Sequence, residues 1–460
     1  MKEACGLFGT YGCDGAAQKA YLGLFALQHR GEESAGIVVS DDRKIRSRKG
    51  MGLLTDVIDA DDFTELPGHM AIGHVRYSTT GSPKPQNVQP LVIEYSQGLV
   101  AVAHNGTLTN AYRLRRQYEA RGSIFQTSTD SEVIVHLMAD PEYLGKPDHV
   151  ARCLAQLEGA FSFLIMTKRR LIAARDRHGF RPLSLGDLDG APVVASETCA
   201  FDLLGARYVR DIEPGEMITI DERGVVSERF CPPDQVKKAH CIFEHIYFAR
   251  PDSRIFGENC QLVRTRLGEI LAREHPVDAD VVMPLPDSGN PAALGFAHES
   301  GIPFQFGVIR NHYVGRTFIQ PRSRSFSVRV KLNVIADIVR GKRVVVVDDS
   351  IVRGTTSRTR LGMLREAGAT EIHLRISSPP IRHPCFFGID FPTRTELVAA
   401  ARTVEEVREF IGVDSLGYIS VEGLLSAVSG APCDYCTACF TGDYPCPVAD
   451  PVEKLALERH

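Results

Sequence analysis

The sequence predicts an α+β half built on antiparallel sheets, followed by an α/β half wound around a parallel sheet. In the first half, short apolar runs at 71–78, 99–103, 161–166, 171–174 and 193–196 are separated by Gly-rich turns. Helical spacing appears only at 16–28 and 131–138, a pattern that suits antiparallel strands with a few covering helices. In the second half, runs at 281–284, 306–310, 344–347 and 372–376 read as buried strands and alternate with helical stretches. Strands of that kind are buried on both faces, as in a doubly wound parallel sheet. Between the two, residues 221–240 are polar and carry Pro232 and Pro233, which places the boundary between 5–235 and 236–460. A late helix is predicted to open on a capping box of Thr403 and Glu406.

Composition narrows the class. The chain has 460 residues, enough for two or three domains with sizeable cores. With 43% hydrophobic residues and a net charge of −4, it is globular and offers no basic surface for nucleic acid. No apolar run is long enough to span a membrane, and the opening MKEACGLFG lacks a signal-peptide core, so a cytoplasmic location is expected. In that reducing setting the 12 cysteines are core residues, a nucleophile or metal ligands rather than a disulfide framework.

The densest signal is VVVVDDSIVRGTTS (344–357). Four β-branched residues form a buried strand, which ends in Asp348 and Asp349. A loop of Ser350, Gly354, Thr355 and Thr356 follows, then a helix with Leu361, Leu364 and Ala367 on one face and Gly368 past its end. Hydroxyls and helix N-terminal N–H groups at a sheet's carboxyl edge hold a phosphate. Two adjacent acids there are costly to bury without a ligand, and they can take sugar hydroxyls or a metal ion.

This motif resembles the signature of the phosphoribosyltransferases, which bind phosphoribosyl pyrophosphate (PRPP). The resemblance implies that Asp348 and Asp349 contact the ribose hydroxyls and magnesium. It also implies that Ser350, Val352, Arg353, Gly354, Thr355 and Thr356 wrap the 5′-phosphate. In PLPDSGNPAALG (284–295), Ser288 takes the family's further magnesium position, although Asp287 also reads as a turn residue and Ser288 as a helix cap. NHYVGRTFIQP (311–321) resembles the loop that closes over PRPP, with Tyr313 and Arg316 as its binding residues. Segment 322–327, RSRSFS, departs from the family in length and composition.

The first half carries CGLFG (5–9), QHRGEESAG (28–36), GHVRYSTTG (73–81), AHNGTLTN (103–110) and TSTDSE (127–132). In this order they resemble the glutaminase domain of the N-terminal-nucleophile amidotransferases, a four-layer sandwich of antiparallel sheets between helices. A Cys thiolate is the attacking form and needs a base. A free α-amine with a pKa of about 8 on the same residue is always in reach, so the resemblance implies that a leader of residues 1–4 is removed by self-cleavage. Asn105 and Gly106 are then the oxyanion hole. The resemblance further implies that Arg76 clamps the glutamine carboxylate, Asp130 pairs with its ammonium, Thr79 lies beside that group, and Arg30 organises the Cys5 end, where a surface salt bridge is the competing reading. Asp130 also reads as a helix N-terminal acid, with Thr129 and Glu132 as a capping box.

Cys433, Cys436, Cys439 and Cys446 crowd the C-terminal region, the first three in a C-x-x-C-x-x-C run, which brings several thiolates to one centre. Spacing alone allows tetrahedral zinc equally well. Taken whole, the chain resembles the amidophosphoribosyltransferases, in their iron–sulfur-bearing branch. That resemblance implies a [4Fe–4S] cluster on Cys241, Cys385, Cys436 and Cys439, with Cys433 and Cys446 as bystanders. It further implies magnesium, glutamine and PRPP as ligands, purine nucleotides as feedback inhibitors, and a homotetramer. The implied reaction draws ammonia from glutamine and transfers it to PRPP. The competing readings are a PRPP-sensing regulator and another glutamine amidotransferase, such as one making an amino sugar.

Overall fold

The Gly6–Tyr11 strand is buried along nearly its whole length because the sheet that contains it is covered on both faces. In the computed structural model, which describes residues 5–78, 80–311, 332–391, 393–448, 450 and 456–458, this strand is central in a seven-stranded sheet. The order is Arg207–Asp211, Ser184–Leu188, Ala191–Ala195, Gly6–Tyr11, Met70–Arg76, Ser34–Ser40, Ile45–Met51. A six-stranded sheet runs Gly224–Arg229, Glu216–Asp221, Leu171–Arg175, Gly159–Met166, Gly98–Leu108, Leu91–Tyr95. All pairings in both sheets are antiparallel.

Alternation along each strand builds the layers. Leu7, Met70 and Ile72 point inward to meet Ala101, Leu164 and Ala173 of the other sheet. Phe8, Ile37 and Val75 point outward beneath the Ala16–Ala26 and Cys199–Leu204 helices. On the far side Val100, Val102 and Phe163 lie under the Ala111–Ala120, Val133–Ala139 and His149–Ala155 helices. The result is the expected four-layer sandwich.

Two local expectations are corrected. The strand expected at 99–103 runs on for 11 residues to Leu108, pairing Asn105 with Ser162 and Gly106 with Phe161. The polar Asn-Gly pair hides that continuation, because it breaks the apolar pattern without breaking the ladder. The Thr129–Glu132 capping box does not form. Glu132 instead accepts from the N–H groups of Gln126 and Thr127 and from the Thr127 hydroxyl, and a 3₁₀ turn, Asp130–Glu132, precedes the helix. The Thr403–Glu406 box is present in full.

The second half contains a parallel sheet of Val281–Pro284, Arg343–Asp348, Glu371–Ile376 and Ser415–Tyr418, in that order. Val345 and Val347 pack with Val263 and Phe296 of the Cys260–Glu274 and Asn290–Ser300 helices. Val344 and Val346 pack with Leu361, Leu364 and Val407 on the opposite face. The 306–310 run does not join this sheet. Only Val308–Arg310 is a strand, paired antiparallel with Leu332–Val334. Phe306 and Ile309 are 50% and 47% exposed, so the run is apolar without being buried on both sides.

Candidate active site

Strand register brings the first constellation together. Gly6 lies opposite Val75, so Cys5 sits at the strand end where Arg76 leaves the neighbouring strand. Cys5 is buried, and its Sγ donates to the Tyr77 carbonyl at 3.3 Å. Burial pushes the thiol up from the usual cysteine value, while the Arg76 and Arg30 guanidiniums oppose this. Arg76 donates to Ser78 Oγ at 2.8 Å and to the Thr80 carbonyl at 2.9 Å, with Cys5, Glu33 and Asp130 as the charges acting on it. Asp130 accepts from the Leu108 N–H at 2.9 Å and faces His104 Nδ1 at 3.7 Å. Burial pushes its carboxyl up, but His104, the Leu108 N–H and Arg76 outweigh this and leave it below the usual range. A guanidinium beside the thiol and a carboxylate within reach of that guanidinium thus offer opposite charges, as an amino acid's two ends require. Thr79 lies outside the described residues.

Asn105 is buried, and neither its Oδ1 nor its Nδ2 has a hydrogen-bond partner. Such atoms are costly unless a ligand takes them up. Gly106 follows at φ +140°, where a Cβ would stand 2.1 Å from the Ala160 carbonyl oxygen. Only glycine fits this position.

Arg30 is no surface salt bridge. It is buried, its Nε donates to the Cys5 carbonyl at 2.9 Å, and its two terminal nitrogens reach Glu244 at 2.9 and 2.7 Å. Glu244 also accepts from Arg181 at 3.0 Å, and Arg181 holds the Phe387 carbonyl at 3.0 and 3.2 Å. The next residue, Gly388, rests on Gly106, and Asp390 accepts from the Tyr77 hydroxyl at 3.0 Å. The second half therefore closes the site of the first. Arg30 also donates to the buried Glu197. Sequence reading missed Glu197, Glu244, Arg181 and Gly388, because a buried charge and a glycine in close contact carry no local pattern.

The second constellation is at the carboxyl edge of the parallel sheet. Asp348 and Asp349 end the Arg343–Asp348 strand, both buried. The Asp349 N–H donates to Asp348 Oδ1 at 3.0 Å, Ser288 Oγ donates to Asp349 Oδ2 at 2.5 Å, and Ser350 Oγ also donates to Asp349. Burial, then the Asp349 charge, raises the Asp348 carboxyl well above its usual value. Gly354, at φ +74°, turns the loop into the Thr355–Glu366 helix. The first N–H groups of that helix, at Thr355 and Thr356, have no acceptor within it. Ser288 does not cap the following helix, whose preceding residue is Gly289, and Asp287 pairs with Arg310 at 2.6 Å. Arg353 is exposed and pairs with Glu396 at 2.8 Å, while Val352 packs against the core. Tyr313, Arg316 and segment 322–327 lie outside the described residues.

A family model for a glutamine amidotransferase domain matches residues 74–202. An amidophosphoribosyltransferase of Bacillus subtilis (strain 168) is 51% identical over 452 residues, covering 97% of this chain and 94% of that protein. One of Methanothermobacter thermautotrophicus is 46% identical, covering 100% of this chain and 98% of the relative. The solved glutamine PRPP amidotransferase from B. subtilis, complexed with ADP and GMP, matches with a TM-score of 0.91 at 50% identity, over 96% of this chain and 98% of that one. The chain belongs to the amidophosphoribosyltransferase family. It is thus a transferase and a glutamine amidotransferase of purine biosynthesis. Among the described residues, no helix is long and apolar enough to cross a membrane.

The four cysteines expected to hold a cluster lie near one another. Cys241 and Cys436 lie directly opposite each other on the short parallel strands His240–Cys241 and Tyr435–Cys436. Cys241, Cys385, Cys436 and Cys439 are all free thiols within electrostatic reach of one another. Burial raises each thiol, Cys241 to about 12, and the buried Arg181 guanidinium opposes this at Cys241, Cys385 and Cys436. Cys433 is exposed, and Cys446 is affected by Asp176 and Glu158 rather than by the four. Among the described residues, no three His, Cys, Asp or Glu side chains are grouped to hold a single metal ion. The four thiols thus lie in one region, three of them partly buried and Cys439 buried.

Proposed function

We propose that the two constellations divide the family's reaction between them, glutamine hydrolysis at Cys5 and ammonia transfer to PRPP at Asp348 and Asp349. The unpartnered Asn105 amide beside Gly106 carries this reading, since it awaits an oxyanion in a site that also holds a buried thiol.

With residues 1–4 removed, the Cys5 α-amine takes the thiol proton, and the thiolate attacks the glutamine carboxamide. Asn105 Nδ2 and the Gly106 N–H donate to the developing oxyanion. Collapse expels ammonia and leaves a thioester, which water hydrolyses to glutamate. Arg76 and Asp130 hold the substrate's carboxylate and ammonium. Arg30 fixes the Cys5 backbone.

Ammonia then passes inside the protein, kept unprotonated, and forms a bond to C1 of PRPP as pyrophosphate leaves. The product is 5-phosphoribosylamine. Asp348 and Asp349 hold the ribose hydroxyls, while Ser350, Gly354, Thr355, Thr356 and the adjacent backbone of Val352 and Arg353 cradle the 5′-phosphate. Asp348 and Asp349, with Ser288 beside them, would hold magnesium, which would supply positive charge against the leaving pyrophosphate. Cys241, Cys385, Cys436 and Cys439 would hold a [4Fe–4S] cluster with a structural role. Purine nucleotides as feedback inhibitors, a homotetrameric assembly and a cytoplasmic location complete the reading.

The test measures pyrophosphate and 5-phosphoribosylamine with glutamine or ammonium as nitrogen source. Cys5→Ala should lose the first activity and keep the second; loss of both contradicts the division of labour.

A further inference from the structure

The C-terminus returns to the first half. Leu457 is buried in the core beneath the six-stranded sheet, among residues such as Leu137 and Phe161. Next to it, the Glu458 carboxylate accepts from the Ser82 N–H at 2.8 Å, the Ser82 hydroxyl at 2.5 Å, the Ser128 hydroxyl at 2.8 Å and Lys84 Nζ at 3.3 Å. Asn87 bridges the same two segments, donating to the Ser82 carbonyl at 2.8 Å and accepting from the Ser128 N–H at 3.0 Å.

Both segments lead into the glutamine site. Thr80, two residues before Ser82, gives its carbonyl to Arg76 at 2.9 Å. Asp130 is two residues past Ser128. Between them Gly81, at φ +75°, is pressed so close that a Cβ would stand 2.7 Å from the Ser128 carbonyl oxygen. We propose that Glu458 is a positioning residue for glutamine, tying loop 80–84 to segment 127–128 and thereby fixing Arg76 relative to Asp130.

The chemistry supports a static tie. One carboxylate accepts from four donors on two segments, and charge-assisted bonds of this kind are the strong ones. These hydrogen bonds, the Ser82 hydroxyl first, hold the Glu458 carboxyl down to about 2, so it stays ionised wherever the enzyme works. Its loss leaves the Ser82 N–H and two hydroxyls without their acceptor and lets the loop drift from Ser128. The reacting thiol is untouched, so the effect falls on binding rather than on turnover.

This inference rests on the glutaminase reading of Cys5, and the test separates the two. Glu458→Ala should raise the KM for glutamine about tenfold or more, change kcat less than about threefold, and leave ammonia-dependent synthesis and the KM for PRPP unchanged. Glu458→Gln, which keeps an accepting oxygen, should recover part of the loss. Labelling of Cys5 by a γ-diazoketone analogue of glutamine should slow in step with the KM, while alkylation by iodoacetamide should not. An unchanged glutamine KM in Glu458→Ala, or a parallel fall in the ammonia-dependent rate, overturns the proposal. If Cys5→Ala still consumes glutamine, the glutaminase reading itself is what fails.

Discussion

Gly388 lies against Gly106 so closely that a Cβ added to Gly388 would come 2.9 Å from the Gly106 Cα. Gly388 belongs to the second half of the chain and Gly106, part of the proposed oxyanion hole, to the Gly98–Leu108 strand of the first. A donor aimed at developing charge is worth about 10²–10³ in turnover, and sub-ångström displacement removes much of that. Gly388→Ala, strained also by its φ of +101°, should therefore lower glutamine turnover about a hundredfold. Ammonia-dependent synthesis should stay within about twofold, since the Asp348 site is not touched. Equal loss of both rates would show that Gly388 serves folding instead.

Asn105 makes the complementary prediction. Because its buried amide has no partner, it contributes no hydrogen bond to the resting fold, and an unpaired polar group costs about 1–3 kcal/mol. Asn105→Leu should lose glutamine turnover by about 10²–10³ while melting at the same temperature as the parent or higher. Calorimetry showing a clear fall in melting temperature would mean that the amide is structural.

How much of this was legible depended on whether function leaves a local trace. Val344 to Asp349 was readable because a strand buried on both faces must be apolar throughout, and two acids at its end are conspicuous. Cys5, Asn105 and Asp130 were readable from short motifs. The outline of the sandwich followed from its alternating runs, yet the strand through Asn105 was cut short where polar residues replaced apolar ones. Glu244, Arg181 and Glu458 left no trace, because each works through partners more than 40 residues away. Long-range polar pairing has no period. The Phe306–Arg310 run misled for the opposite reason, being apolar in a place that stays half open.

Asp348 should destabilise the empty site. Its carboxyl is raised by burial and by Asp349, so above its raised pKa the folded state carries a charge it disfavours. That cost is relieved as pH falls through the raised pKa toward the ordinary carboxylate value. Asp348→Asn should then raise the melting temperature of magnesium- and PRPP-free protein at pH 8, and the gain should shrink at pH 5. The same variant should lose thermal protection by PRPP and magnesium. Destabilisation at pH 8 would contradict the assignment of a strained, ligand-awaiting acid.

Glu244 carries a different burden, lying fully buried between Arg30 and Arg181. Removing one partner of a buried ionic group leaves uncompensated charge, at about 3–5 kcal/mol. Glu244→Gln should therefore lower the melting temperature by several degrees and weaken the hold of Arg30 on the Cys5 carbonyl. Glutamine-dependent activity should fall further than ammonia-dependent activity. A variant as stable as the parent would show that Glu197 and the neighbouring carbonyls satisfy the two guanidiniums.

The four cysteines give the last test. Cys385 is three residues before Gly388, and Arg382 and His383 donate their N–H groups to the Cys439 carbonyl at 2.9 and 3.0 Å. The thiols thus sit at the root of the arm that reaches Gly106. Left as thiols they are held protonated by burial, so binding a metal group must release protons and tighten the region. Anaerobically purified protein should be brown and contain iron and acid-labile sulfide. Cys385→Ser should be colourless and open the 385–391 arm to limited proteolysis. A parent protein that holds zinc and no sulfide would overturn the cluster, and an arm equally resistant in both forms would separate the cluster from the oxyanion hole.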